Sequence, residues 1–83
     1  MVELLYNSTR KRWMADDGLG FSVPLGTGSR FAIYVGSSYY MCKLEFDTAW
    51  YIRLGYTKFR LHPKEKYVAM LLSKINDGQA KDI

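Results

Sequence analysis

The chain holds one cysteine, one histidine and two prolines in 83 residues, and each scarcity removes a class of chemistry. A lone Cys42 builds no disulfide framework and fits a reducing cytoplasm. One cysteine and one histidine fall short of the three or four ligands that a metal site needs, so neither a metal nor another cofactor is expected. His62 has no second imidazole beside it, and a catalytic nucleophile needs a base within hydrogen-bond reach. Asp16 with Asp17, and Glu45 with Asp47, have the context of turn residues rather than of an acid and base pair. The chain is therefore expected not to be an enzyme. No apolar run approaches the roughly 20 residues of a membrane span, the longest being Tyr67 to Leu72, and no basic-then-apolar leader opens the sequence. A cytoplasmic protein without a membrane partner is the expectation. Charge of one sign is in modest excess: 12 Lys and Arg against 8 Asp and Glu leave +4, which favours an anionic partner without dictating a fold.

What the chain has in quantity is alternation. Arg30 to Val35 sets Phe31, Ile33 and Val35 on one side of a strand and Ala32 and Tyr34 on the other. With Ser37-Ser38 as a two-residue loop, Val35 faces Tyr40, Ile33 faces Cys42 and Phe31 faces Leu44. Asp47-Thr48-Ala49 as a three-residue turn pairs Phe46 with Trp50, Leu44 with Ile52 and Cys42 with Leu54. Gly55-Tyr56 suits a II′ turn that sets Ile52 opposite Phe59 and Trp50 opposite Leu61. All three turns gather apolar side chains on one face, so Phe21, Phe31, Phe46, Phe59 and Trp50 are predicted to fill a small core.

The same register dictates the opposite face. Lys43 lies across from Arg53, and Arg53 across from Lys58, a row of like charges that destabilises a sheet unless something compensates it. An anionic partner is one compensation; long stems covering the sheet while their heads stay in water is the other. Glu45, Tyr51 and Arg60 form the next row, where Glu45 can neutralise Arg53 or Arg60. Tyr34 and Met41 add apolar surface nearby.

Ahead of this sheet, Val2 to Tyr6 alternates as a first strand, and Trp13-Met14 suits a short second one before the turn signal Asp16-Asp17-Gly18. Arg10, Lys11 and Arg12 beside Trp13 suit phosphate contact with base stacking, or equally an edge guarded by charge. Phe21, Val23 and Leu25 alternate around Pro24, which marks an edge strand. Gly26-Thr27-Gly28-Ser29 lacks both the Lys-Ser/Thr and the following helix of a phosphate loop, and reads as a turn. After Pro63, the recurrence of Tyr67, Val68, Leu71, Leu72 and Ile75 predicts a helix over 63–76, packed on an open end of the barrel or docked on another chain. One domain over 1–78 is expected, with 79–83 as a frayed tail.

Leu5-Tyr6-Asn7, Arg12-Trp13, the Leu25, Gly28, Phe31, Ile33, Val35 series, and Lys43-Leu44-Glu45-Phe46 followed by Trp50-Tyr51-Ile52 together resemble a family of small domains of unknown function from Gram-positive bacteria, their phages and mobile elements. The resemblance implies a small SH3-like barrel, with Glu45, Trp50 and Tyr51 at the family's most recognisable positions, and brings no activity with it. The fold expected is mainly β: an SH3-like antiparallel β-barrel of five to six strands with one C-terminal α-helix. The function expected is that of a non-enzymatic phage or mobile-element accessory protein, a monomer or weak homodimer. It would bind nucleic acid or a nucleoprotein through Lys43, Arg53, Lys58, Arg60, Tyr34 and Tyr51, with Arg10, Lys11 and Arg12. The alternative is a protein-interaction module that inhibits a host defence nuclease, in the manner of an anti-CRISPR protein.

Overall fold

A computed structural model describes residues 1–72 of the chain, and these form eight strands and no helix. The strands are β1 (Val2–Asn7), β2 (Arg12–Asp16), β3 (Ser22–Pro24), β4 (Arg30–Val35), β5 (Ser38–Phe46), β6 (Trp50–Leu54), β7 (Thr57–Phe59) and β8 (Tyr67–Leu71). They make one antiparallel sheet in the order β3-β2-β1-β8-β4-β5-β6-β7. The mainly-β expectation holds, but in place of five to six strands closed into a barrel there is one open sheet of eight. Its two edges, β3 and β7, are three residues each. Pro24 on β3 cannot donate a ladder bond and Lys58 on β7 carries a charge, and both features discourage a further strand from adding.

The sheet curls over a single core. Trp13 of β2 shares one cluster with Leu44 of β5 and Ile52 of β6, although β1, β8 and β4 lie between β2 and β5 in the order. Phe31 and Ala69 are wholly buried at the centre, with Leu4 and Leu44 beside them. The predicted core is thus corrected in part. Phe31 is inside, but Phe21, Phe46 and Phe59 are exposed and Trp50 is half-buried, because they fall at strand ends or on the edges, where no neighbouring strand covers them. Trp13, expected beside its cations at the surface, is instead the buried indole at 2% exposure, set edge-on to Tyr6 and Tyr67.

The helix predicted over 63–76 is absent from 63–72. Residues after His62 turn back, closed by the Glu65 N–H donating to the His62 carbonyl, and Tyr67–Leu71 enters the sheet as β8 between β1 and β4. The cause is compositional. Tyr67, Ala69 and Leu71 face the core while Val68 and Met70 point outward, and a run apolar on both sides satisfies a period of 2 as well as one of 3.6. Without β8, both β1 and β4 would carry unpaired backbone groups beside the core, so ladder bonds decide the outcome over intrinsic preference. Positions 73–76 of the predicted helix, the limit at 78 and the tail 79–83 lie outside the described residues.

Two of the three predicted hairpins have the predicted register: Phe46↔Trp50 and Leu44↔Ile52 across β5–β6, and Ile52↔Phe59 across β6–β7. The β7 ladder ends at Phe59, so Leu61 does not pair with Trp50. The β4–β5 hairpin is displaced by two residues, with Val35↔Ser38, Ile33↔Tyr40 and Phe31↔Cys42. Its loop is Gly36-Ser37, because Gly36 adopts φ 64°, the left-handed value that a II′ turn needs at its first central position. A displacement of two preserves which face each residue occupies, so the core face survives the correction.

Candidate functional site

The corrected register lengthens the cation row on the outer face. Arg30 pairs with Lys43, Lys43 with Arg53 and Arg53 with Lys58, four cations across four strands. Several have local compensation. Lys43 lies 3.5 Å from Glu45, where Arg53 or Arg60 was the expected partner. Lys58 and Arg60 converge on Asp47 at 3.0 and 3.3 Å. Tyr51, only 8% exposed, lies beneath them: the Lys58 ammonium is 4.5 Å from its ring centre, and the Arg53 and Arg60 guanidiniums are each 5.8 Å away. Arg53 also donates to the Tyr51 hydroxyl at 3.4 Å. A ring face covered by cations gains electrostatically from each and is not open to a nucleobase. Tyr34 is half-buried and tilted against Tyr39 at 5.6 Å, apart from the cations.

Asp47 organises this region from the β5–β6 turn. Its Oδ1 accepts the N–H groups of Thr48 and Ala49, the latter at 3.0 Å, which fixes the turn as Asp side chains do. The Ala49 N–H first, then Lys58, hold its carboxyl well below the usual carboxylate range. One carboxylate thereby shapes a turn and gathers two cations at the border between the two faces.

Across that border lies an aromatic cleft. Phe46 and Trp50, paired across the ends of β5 and β6, meet edge to face with centroids 4.9 Å apart. Phe46 is 50% exposed. The Trp50 indole N–H donates to the Lys11 carbonyl at 2.9 Å, joining β6 to the β1–β2 turn. On one side of this pair a cleft of about 550 Å³ is lined by Tyr6, Lys11, Arg60, Leu61, His62 and Pro63 among others. On the other side Arg10, Lys11 and Arg12 line a depression of about 400 Å³ that shares Phe46 and Trp50. His62 is held by its main-chain N–H donating to the Tyr67 hydroxyl, while its Nδ1 accepts the Lys64 N–H.

The basic tripeptide is not uniform. Lys11 takes φ 56°, an uncommon value for a residue with a side chain, and Arg10 is tied through its N–H to Asn7 Oδ1; both side chains are exposed. Arg12 is folded in: it donates to the Leu25 carbonyl at 2.7 Å, its guanidinium lies 6.0 Å from the Trp50 ring, and its Nε is buried without a partner. Arg12 therefore braces the Trp50 wall. Arg60 reaches both regions, over Tyr51 on the outer face and along the cleft. The structure thus brings Arg10, Lys11 and Arg60 together around Trp50, with Lys58 next to Arg60 through Asp47, and leaves Tyr34 elsewhere.

Sequence reasoning missed Phe46 and Trp50 as surface groups because parity assigned them to the core face. The available signal was their position: they flank a turn at the end of the sheet, where the hydrophobic layer runs out. Among the described residues no group of three or more His, Cys, Asp and Glu side chains is placed to hold a metal ion, and no helix is long and apolar enough to cross a membrane. No curated protein and no solved structure matches the chain. Its sequence does match a family model over residues 2–71, the whole span of the described sheet, and the chain belongs to the family described as "Domain of unknown function (DUF5348)".

Proposed function

We propose that this chain is a non-enzymatic accessory protein that binds single-stranded nucleic acid, in the bacterial cytoplasm and in the service of a phage or mobile element. The setting comes from the family resemblance, and the curled sheet is read as an opened variant of a small SH3-like barrel. The observation that carries the binding reading is the half-open Phe46–Trp50 pair enclosed by Arg10, Lys11 and Arg60. Aromatic rings offer a platform on which any base stacks, and cations on either side track the backbone. Arg60 and Lys58 then continue the phosphate path toward Arg53 on the outer face. Duplex binding is disfavoured because the rings lie in a cleft, which only an unpaired base enters.

The test is fluorescence anisotropy of labelled single-stranded DNA and RNA oligonucleotides over a range of salt. Neutralising roughly three to four phosphates on a single strand gives a log–log slope of about −2 to −3. No retention of either oligonucleotide at low salt, or an affinity indifferent to salt, removes the proposal.

A further inference from the structure

Two hollows flank the Phe46–Trp50 pair, and their linings differ in charge. The cleft on one side mixes Lys11 and Arg60 with Leu61, His62 and Pro63. The depression on the other, of about 400 Å³, is lined by Arg10, Lys11, Arg12 and the Gly26-Thr27 turn beside the two rings, with no carboxylate among them. Cations elsewhere are answered: Lys43 by Glu45, and Lys58 and Arg60 by Asp47. Among the described residues, none of Arg10, Lys11 and Arg12 takes part in an ion pair. Guarding a sheet edge does not account for Arg10 and Lys11, because both lie in the β1–β2 turn, beyond the last ladder pair Asn7↔Arg12.

The backbone of Lys11 is a second, independent observation. Its φ of 56° is a value that glycine takes freely and a side chain disfavours. The bond that this conformation makes, from the Trp50 indole N–H to the Lys11 carbonyl, uses main chain alone, so glycine would serve it equally well. What the lysine adds is a charge at the ridge, where it lines both hollows. Sparsely populated backbone conformations of this kind gather at ligand sites. Arg12 is preset as well: its Nη2 donates to the Leu25 carbonyl at 2.7 Å, which orders the guanidinium before any ligand arrives.

We propose that this depression is a subsite for a terminal phosphate of the bound strand, a phosphate monoester, with the end base stacked on Phe46 and Trp50 at the same ridge. The inference rests on the nucleic-acid reading and names which part of the strand the site takes. A phosphodiester within a strand carries one negative charge, whereas a monoester at neutral pH carries about 1.5 to 2 and offers three acceptor oxygens. Three uncompensated cations around one depression match the monoester more closely. Arg10 and Lys11, exposed and free to close over the group, supply charge-assisted donors, and Thr27 offers a hydroxyl at the rim.

Competition anisotropy with an internally labelled single strand tests this, using unlabelled oligonucleotides of one sequence that carry a 5′-phosphate, a 3′-phosphate or hydroxyls at both ends. One phosphorylated competitor is expected to bind at least about tenfold more tightly than the hydroxyl form. Lys11→Gly keeps the backbone value already present, so its melting temperature should stay near that of the parent while the preference falls below about threefold. Arg10→Ala, a change at an exposed turn, should act in the same direction. Equal competition by all three oligonucleotides overturns the proposal and leaves the nucleic-acid reading standing, whereas failure of the labelled strand itself to bind removes both. A preference that survives the combined Lys11→Gly and Arg10→Ala change places the phosphate elsewhere and overturns the subsite. Inorganic phosphate displacing the probe as well as the phosphorylated strand does would mark a site for the free anion and overturn the assignment to a strand end.

Discussion

The indole N–H of Trp50 and the carbonyl oxygen of Lys11 are joined by a 2.9 Å hydrogen bond across 39 positions of sequence. This bond joins the β1–β2 turn, with its basic tripeptide, to the β5–β6 turn, where Asp47 collects Lys58 and Arg60. It fixes the spacing between the rings and the cations, on which the proposed binding depends.

Trp50→Ala should therefore weaken single-stranded oligonucleotide binding by about 1–3 kcal/mol, the usual contribution of one stacked base. Trp50→Phe keeps a ring and loses the bond to Lys11, so an intermediate loss is expected. Anisotropy titrations of both variants, with thermal melts to confirm folding, check this.

Asp47→Asn should lower stability at neutral pH and leave acid behaviour flatter than in the parent. The folded carboxyl titrates below its unfolded value near about 3.9, so its charge stabilises the fold above about pH 4 and that stabilisation is lost as the pH falls further. Denaturant midpoints measured against pH should show the gap between the two proteins closing on the acid side.

Cys42 behaves in the opposite sense. Burial pushes its thiol up to about 12 from 9.0, and its Sγ lies 3.5 Å from the Phe31 carbonyl oxygen. The unfolded chain releases the proton first, so the stabilisation is complete below about pH 9 and declines as the pH rises toward about 12. Alkylation at mildly alkaline pH should be slow in the folded protein and fast in denaturant. Any stability advantage over Cys42→Ala should shrink across that alkaline window.

How far the sequence reveals this fold depends on where a residue sits. The β5–β6 and β6–β7 registers were legible because turn chemistry and apolar pairing agreed, and the row Lys43, Arg53, Lys58 followed from them. The β4–β5 register was not, because placing the loop at Ser37-Ser38 keeps every residue on its correct face and only the φ of Gly36 distinguishes the two. β8 was misread as a helix because Val68 and Met70 are apolar on the outer face, which erased the alternation. At the site the cations were legible and the rings were not: Tyr51 is covered by its neighbours, and Trp13 and Trp50 exchange the roles that local context assigned them.

Gly36→Ala separates the two loops directly. At φ 64° a Cβ is strained, and a loss of about 1–2 kcal/mol is expected from the left-handed conformation. Ser38→Ala, in the first position of β5, should cost little. Urea denaturation of both variants provides the comparison.

The most direct test of the central claim uses the two tryptophans, since both line the cleft but Trp13 is only 2% exposed whereas Trp50 is half-buried at its wall. Intrinsic fluorescence is followed while a short single-stranded oligonucleotide is added to the parent and to Trp50→Phe. The account predicts saturable quenching in the parent that is largely lost in the variant, with binding by the variant still detectable through anisotropy and still sensitive to salt. Binding that leaves Trp50 emission unchanged, or no binding at low salt, would contradict it.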